Sequence, residues 1–157
     1  MITLQKLTVK DAFRIVDEDP ILVRLTDEFS RVVNNFAHHA DLRGVFVVDE
    51  ANRFSGVITR TDLLDWARVK LGAIFLKPLA NTDKTIRLVN LSKATTAGDV
   101  LRPSTKKAAV LPNDTLAHAL QMMIEADLIL LPVLDESQQI IGSLTLSELL
   151  NLALAES

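Results

Sequence analysis

Residues 45–64, VFVVDEANRFSGVITRTDLL, decide the fold because the chain contains the same pattern again at residues 131–150, as LPVLDESQQIIGSLTLSELL. The two copies align without a gap at an offset of 86 residues, so that Asp-Glu, Gly, Thr and Leu-Leu coincide. In each copy two apolar runs flank a short polar segment, which predicts a β-hairpin. The segments TRTD and TLSE, each with a Thr and an acidic residue three positions later, then precede a leucine-rich segment, which predicts that a helix begins there.

The repeat continues upstream with an offset that grows by one residue at each landmark. At an offset of 87, apolar residues spaced i, i+3, i+4 and i+7 within 29–36 match those within 116–123, which is one face of a helix. At an offset of 88, TVKDAF from Thr8 matches TAGDVL from Thr96. Each Thr has an Asp three residues later, as in a capping box at a helix start. Three landmarks in the same order indicate an internal duplication.

Each half is therefore predicted to be a β-α-β-β-α unit that follows a short helix start. The last helix of each unit begins near Thr61 or Ser147. One unit has too small a sheet to bury both of its faces, so we expect the two units to pack together. Repeat 1 is assigned to residues 1–70, the connecting segment to 71–94 and repeat 2 to 95–157. The predicted strands are 21–25, 45–48, 54–59, 108–111, 130–134 and 140–145, and the amphipathic helices are 28–37 and 115–125.

The composition is that of an ordinary globular chain with an aliphatic core. Of the 157 residues, 48% are apolar and 24% are charged, which is enough apolar chain to bury a core. There is one Trp and no Tyr, and the formal net charge is −3, which argues against a broad basic or base-stacking surface for nucleic acid. No apolar run approaches the length of a membrane span or a signal peptide. We therefore expect a soluble cytoplasmic protein with no nucleic-acid or membrane partner.

Sequence motifs of enzymes and metal sites are missing. Gly-x-Ser-x-Gly, Walker and His-Glu-x-x-His patterns do not occur, and there is no cysteine, so the prediction is that the chain has no catalytic residues. His38 and His39 are adjacent but have no third ligand at a suitable spacing, so no metal is predicted. Lys106 and Lys107 are adjacent cations, either a solvated pair or a contact for a phosphate.

The duplicated pattern resembles the paired cystathionine-β-synthase (CBS) domains that form a Bateman module. Apolar-Pro-Val, Asp-Glu, Gly and Thr/Ser-x-x-Asp carry the resemblance, which covers nearly the whole chain apart from the connecting segment. Copy one departs from the pattern, with Phe46 opposite Pro132. The resemblance implies an α/β fold of two pseudo-symmetric repeats packed through their sheets. It further implies a homodimer in which the last helices of the repeats meet across a two-fold axis.

The resemblance also implies a regulatory module that binds an adenosine-type effector, AMP, ADP, ATP or S-adenosylmethionine, between the repeats and signals to a protein partner. No required cofactor is implied. The family places Thr59 on phosphate and Asp62 on the ribose hydroxyls, roles that suit a hydroxyl at a helix start and a carboxylate facing a diol. Arg43 would supply a cation. The remaining expected contacts are Val57 and Thr61 in repeat 1 and Ser104, Thr105, Ala108, Leu128, Ile129 and Leu130 in repeat 2.

The second copy predicts a weaker site around Thr145, Ser147 and Glu148, because Glu148 is one methylene longer than the family's Asp. Two alternatives remain open for the pattern. The Thr-x-x-acid pairs could be helix caps alone, worth roughly 0.5 to 2 kcal/mol each, and the chain could be an interaction module with vestigial clefts. Segment 71–94 either covers the cleft or contacts a partner, or it is a strap that packs Ile74, Phe75 and Leu76 into the core.

Overall fold

Two three-stranded sheets, one for each repeat, form the frame of the protein in the computed structural model. The structure describes residues 2–15, 22–70, 87 and 90–155. The predicted strand position 21 and the predicted core residues Ile74, Phe75 and Leu76 lie outside these ranges. In chain order the elements are α1 (Ile2–Lys6), β1 (Arg14–Ile15), β2 (Leu22–Arg24), α2 (Phe29–His38), β3 (Gly44–Val48), β4 (Phe54–Thr59), α3 (Arg60–Lys70), α4 (Ala97–Val100), α5 (Leu116–Ala126), β5 (Leu130–Leu134), β6 (Ile140–Thr145) and α6 (Leu146–Ala155).

The two predicted hairpins form in equivalent registers. In repeat 1, β3 pairs antiparallel with β4 and Val45 lies opposite Ile58, whereas in repeat 2 β5 pairs with β6 and Leu131 lies opposite Leu144. Each hairpin has a register shift at the same place, after Val47 and after Val133. β2 lies parallel to β3 and completes the first sheet. The duplication seen in the sequence is therefore a duplication of backbone geometry.

The second sheet is completed differently from the prediction. The expected strand 108–111 makes only a single parallel bridge, between Val110 and Val133. A 3₁₀ turn at Pro103–Thr105 precedes it and Pro112, which has no N–H to donate, follows it. The third strand is instead β1, from the start of the chain, which pairs antiparallel with β6.

The two helix-start segments are exchanged between the repeats. Val9 N–H donates to the Asp114 carbonyl at 2.8 Å, and a bridge joins Thr8 to Thr115 of repeat 2. Reciprocally, a bridge joins Thr96 to Glu28 of repeat 1, and the Ala97 N–H donates to the Asp27 carbonyl at 2.8 Å. Each repeat thus supplies the backbone partners at the start of the other repeat's amphipathic helix.

The core lies on both sides of the first sheet. β3 is buried along its whole length, and its side chains alternate between two clusters. Val45 and Val47 pack with α2 and with Leu91 and α4, whereas Phe46 joins the cluster of repeat 2 around Leu131 and Leu144. The repeats therefore pack through their sheets, as predicted. No helix in the described ranges is long and apolar enough to cross a membrane.

Candidate functional site

The residues TRTD of the first copy form the junction between β4 and α3. β4 ends at Thr59 and α3 begins at Arg60, so Asp62 lies in the first turn of the helix. Its Oδ2 accepts a hydrogen bond from the Thr59 N–H at 2.9 Å and one from the Thr59 hydroxyl at 3.3 Å. Asp62 therefore holds the last residue of the strand against the first turn of the helix.

The other carboxylate oxygen of Asp62 binds two arginines that the sequence did not indicate. Asp62 is 0% exposed, and its Oδ1 lies 2.7 Å from Nη2 of Arg87 and 3.1 Å from Nε of Arg102. We call Asp62, Arg87 and Arg102 the Asp62 ion cluster. A buried carboxylate requires such partners because its desolvation costs several kcal/mol. Arg87 and Arg102 lie 25 and 40 residues further along the chain, and no local spacing predicts that contact.

A cleft of about 590 Å³ opens beside Thr59, between the two repeats. We call it the inter-repeat cleft. Five of the predicted ligand contacts line it, namely Arg43, Thr59, Thr61, Leu128 and Ile129. Arg43 is exposed and makes no ion pair with any residue that the structure describes, and Ile129 is 51% exposed. The cleft thus combines two cations, two carboxylates (Asp41 and Asp127), two hydroxyls and apolar surface from both repeats.

The other predicted contacts lie elsewhere. Val57, Thr105 and Ala108 are buried, and the Val57 N–H lies 3.4 Å from the Thr105 hydroxyl that accepts its hydrogen bond. Leu130, at the start of β5, is half-buried, whereas Ser104 is exposed and lines a different pocket. The start of repeat 2 thus contributes to the packing between repeats more than to the surface of the inter-repeat cleft.

Arg60 fixes the loop that forms one wall of the cleft. Its guanidinium donates to the carbonyls of His39, Ala40 and Leu42 at 3.2, 3.0 and 3.1 Å. It also lies 5.2 Å from the centroid of the Phe36 ring. All three carbonyls lie just beyond His38, the last residue of α2, and the helix dipole favours a cation at that end. The loop that ends at Arg43 is therefore held by a residue from the Thr59–Asp62 junction.

The equivalent junction in repeat 2 lies between β6 and α6. Glu148 Oε1 accepts hydrogen bonds from the Thr145 N–H and hydroxyl, both at 2.9 Å, and the Glu148 N–H donates to the Thr145 hydroxyl at 3.2 Å. This is the reciprocal geometry of a capping box. Ser147 is exposed, and Leu146 occupies the position of Arg60, so repeat 2 has no arginine at this position to bind the preceding loop.

The adjacent histidines interact with their own helix. Nδ1 of His38 lies 2.9 Å from the Asn34 carbonyl, and Nδ1 of His39 lies 2.9 Å from that of Asn35. Within the described part of the chain, no group of three or more His, Asp or Glu residues could hold a metal ion.

Trp66 lies one helical turn beyond Asp62 on α3. Its ring centroid is 5.0 Å from that of Phe29, and the Lys70 ammonium lies 5.8 Å from the indole ring. The indole N–H is buried and finds no hydrogen-bond acceptor in the described structure. The indole thus packs against the core of repeat 1 close to the Asp62 ion cluster.

Comparison with known proteins agrees with this architecture. The CBS domain profile matches the chain twice, at residues 8–68 and 97–155. No curated protein sequence matches the chain significantly. Among solved structures, CBSX2 of Arabidopsis thaliana in complex with AMP aligns with a TM-score of 0.71 at 20% identity, over 96% of this chain and 98% of that one.

Two further structures are similar over comparable lengths. A CBS-domain-containing protein from Thermotoga maritima aligns with a TM-score of 0.70 at 24% identity, over 96% of each chain. The CBS domain pair of protein MJ0100, in complex with 5′-methylthioadenosine and S-adenosyl-L-methionine, aligns with a TM-score of 0.63 at 16% identity, over 93% of this chain and 98% of that one. The profile matches the chain twice, and the two matched regions contain hairpins of the same register. This chain therefore belongs to the CBS domain family and contains a tandem pair of these domains.

Proposed function

We propose that the protein is a regulatory sensor that binds an adenosine-containing small molecule in the inter-repeat cleft. The observation that carries the proposal is the composition of that cleft, to which both repeats contribute polar and apolar groups. Similar structures that hold AMP, or 5′-methylthioadenosine and S-adenosyl-L-methionine, support the choice of ligand class. The cleft volume also falls in the range of small-molecule sites, roughly 300–1,000 Å³.

The lining residues offer complementary chemistry to such a ligand. Arg43 is a cation without a carboxylate partner in the described structure, and so it is available to a phosphate or carboxylate. The Thr59 and Thr61 hydroxyls add hydrogen-bonding groups, while Leu128 and Ile129 offer apolar surface to a purine. We assign the ligand contacts to these five residues.

Asp62 acts in this proposal mainly through Thr59. Both of its oxygens have protein partners, so a ribose diol would reach Asp62 only by displacing Arg87 or Arg102 from Oδ1. In repeat 2, Thr145 and Glu148 form a helix cap, and we propose no second ligand there. This restricts effector binding to one asymmetric site in a nearly symmetric molecule.

Signalling would follow from the position of the cleft between the repeats. A ligand that contacts both repeats binds one arrangement of them better than another, and it shifts the populations by that difference in affinity. We propose that α3 and α6 pass the change to a homodimer partner or another protein, because Leu64, Leu150 and Leu154 leave apolar surface exposed on these helices. The same surface favours a pure interaction module as the second candidate.

The test is calorimetric titration and thermal unfolding with adenosine, AMP, ADP, ATP and S-adenosylmethionine. A ligand at a hundredfold excess over its Kd should add about 2.7 kcal/mol, a rise in Tm of roughly 5–10 °C. Ile129→Trp, which fills the cleft, should abolish that rise. The matched control is Ile124→Trp on α5, where the side chain is 71% exposed and does not line the cleft.

Two results would contradict the proposed sensor function. One is the absence of a Tm shift with every ligand, which would leave the interaction module as the better candidate. The other is a shift that Ile129→Trp and Ile124→Trp affect equally, which would place the ligand outside the cleft.

A further inference from the structure

A second and larger pocket, of about 880 Å³, lies between the end of the connecting segment and the start of repeat 2. We call it the basic pocket. It shares no lining residue with the inter-repeat cleft. The polar side chains that line it include Arg87, Asn90, Lys93, Arg102, Ser104 and Lys106.

The basic pocket carries an excess of positive charge in a chain whose formal net charge is −3. Of the charged residues that line it, four are basic and only Asp99 is acidic. Oδ2 of Asp99 already accepts hydrogen bonds from the N–H groups of Thr95 and Thr96, at 3.0 and 3.1 Å. Asp99 thus offsets one of the four positive charges, and the lining keeps a formal excess of three.

The positive charges of the two arginines in the pocket are paired with carboxylates, whereas those of the two lysines are not paired with any described residue. Asp62 binds both arginines, and Asp65 lies 3.9 Å from Nε of Arg87 while also pairing with Arg68 at 3.7 Å. Lys93 and Lys106 are exposed and make no ion pair with any described residue. Their charges are therefore available to an anion in the pocket.

The Asp62 ion cluster holds the arginines in place at the pocket. The side chains of Arg87 and Arg102 are only 18% and 17% exposed, and one buried carboxylate oxygen fixes both. Nε of each guanidinium is buried, so only the remaining guanidinium N–H groups can face the pocket. Side chains that are already held in one position lose little conformational entropy when they bind a ligand.

We propose that the basic pocket is a binding site for the phosphate groups of a small molecule, and that it is separate from the inter-repeat cleft. An anion of the diphosphate type has the charge to pair with Lys93 and Lys106 and the oxygen acceptors to meet guanidinium and Ser104 donors. The concave shape and the volume suit a small molecule. Asp62 would then link the two pockets, because one of its oxygens holds Thr59 in the cleft and the other holds both arginines.

Calorimetric titration of the full chain with pyrophosphate tests the proposal. We expect saturable binding at low ionic strength, weakened roughly two- to fivefold by Lys93→Gln and by Lys106→Gln, and about tenfold or more by the double variant. Lys107→Gln is the matched control, since Lys107 is an exposed neighbour of Lys106 that does not line the pocket. It should leave the affinity unchanged.

The proposals for the two sites can be rejected independently of each other. Pyrophosphate binding should persist in Ile129→Trp, and adenosine, which has no charge, should not compete with it. The basic pocket is rejected if pyrophosphate shows no saturable binding, if Lys107→Gln weakens it as much as Lys106→Gln does, or if adenosine displaces it. Adenosine binding that Ile129→Trp abolishes would still support the sensor in each of those cases.

Discussion

At the scale of the residue, Asp62 combines local hydrogen bonds at a helix start with a buried ion cluster. Its spacing from Thr59 predicted the local hydrogen bonds, because a pair three residues apart at a helix start meets whatever the rest of the chain does. Its two arginine partners could not be predicted, because Arg87 and Arg102 are distant in the sequence and meet Asp62 only in the tertiary structure. The hydrogen bonds at this helix start are thus made by neighbouring residues, whereas the charges that balance Asp62 come from distant parts of the sequence.

Asp62→Asn should therefore destabilise the protein strongly. The substitution keeps the shape of the side chain but leaves two largely buried guanidiniums without a carboxylate, which should cost about 3–5 kcal/mol of unfolding free energy. Asp65→Asn is the control, since Asp65 is partly exposed and its ion pairs are 3.7 and 3.9 Å long, and it should cost less than about 1 kcal/mol. Urea unfolding measures both. A smaller loss for Asp62→Asn than for Asp65→Asn would refute the structural role of the ion cluster.

At the scale of the element, the helix starts at Thr8 and Thr96 couple the fold to pH. Backbone N–H bonds, from Thr8 to Asp11 and from Thr95 and Thr96 to Asp99, are the main cause that lowers the pKa of each carboxyl group. A lowered pKa in the folded state stabilises the fold above the unfolded pKa of about 3.9. That contribution is lost as the pH falls through the lower, folded-state pKa.

We accordingly expect the unfolding free energy to decrease as the pH is lowered from about 5 towards 2.5, and to decrease less steeply in the Asp11→Asn/Asp99→Asn double variant. Urea unfolding across that range measures the slope. Glu136→Gln serves as the control, because Glu136 is exposed in a hairpin turn and makes no hydrogen bond within the described structure. An identical slope in the double variant and in the parent protein would contradict the assignment.

The strands also show which elements the local sequence pattern was sufficient to predict. Alternating apolar residues around a polar turn predicted both hairpins, since pairing between neighbouring segments depends on nearby residues. The third strand of the second sheet was missed, because β1 reaches β6 from the opposite end of the chain. Pro112, next to the segment that was predicted instead, allowed only a bridge there.

At the scale of the whole molecule, the exchange of helix starts makes the two repeats depend on each other. Val9 is fully buried in the core of repeat 2, and the Leu116 N–H donates to the Leu7 carbonyl at 2.9 Å. Residues 1–70 and 71–157 expressed separately should therefore lack cooperative unfolding, and mixing them should restore it. Circular dichroism during thermal unfolding measures this, and a cooperatively folded first half would contradict the prediction.

A point substitution tests the same dependence within the intact chain. Val9→Asp places an unpaired charge in the core of the other repeat and should cost about 3–5 kcal/mol, whereas Lys10→Asp, at the exposed neighbouring position, should cost less than about 1 kcal/mol.

The fluorescence of Trp66 can report on the surroundings of α3. The chain contains no other tryptophan and no tyrosine, so ultraviolet emission excited at long wavelength originates from one indole, a helical turn from Asp62. Because Phe29 belongs to α2, contact between the two rings makes that emission sensitive to displacements of α3 relative to α2. The protein therefore carries its own optical probe one helical turn from Asp62, and stopped-flow measurements of its emission can test for binding at the two proposed sites without an added dye.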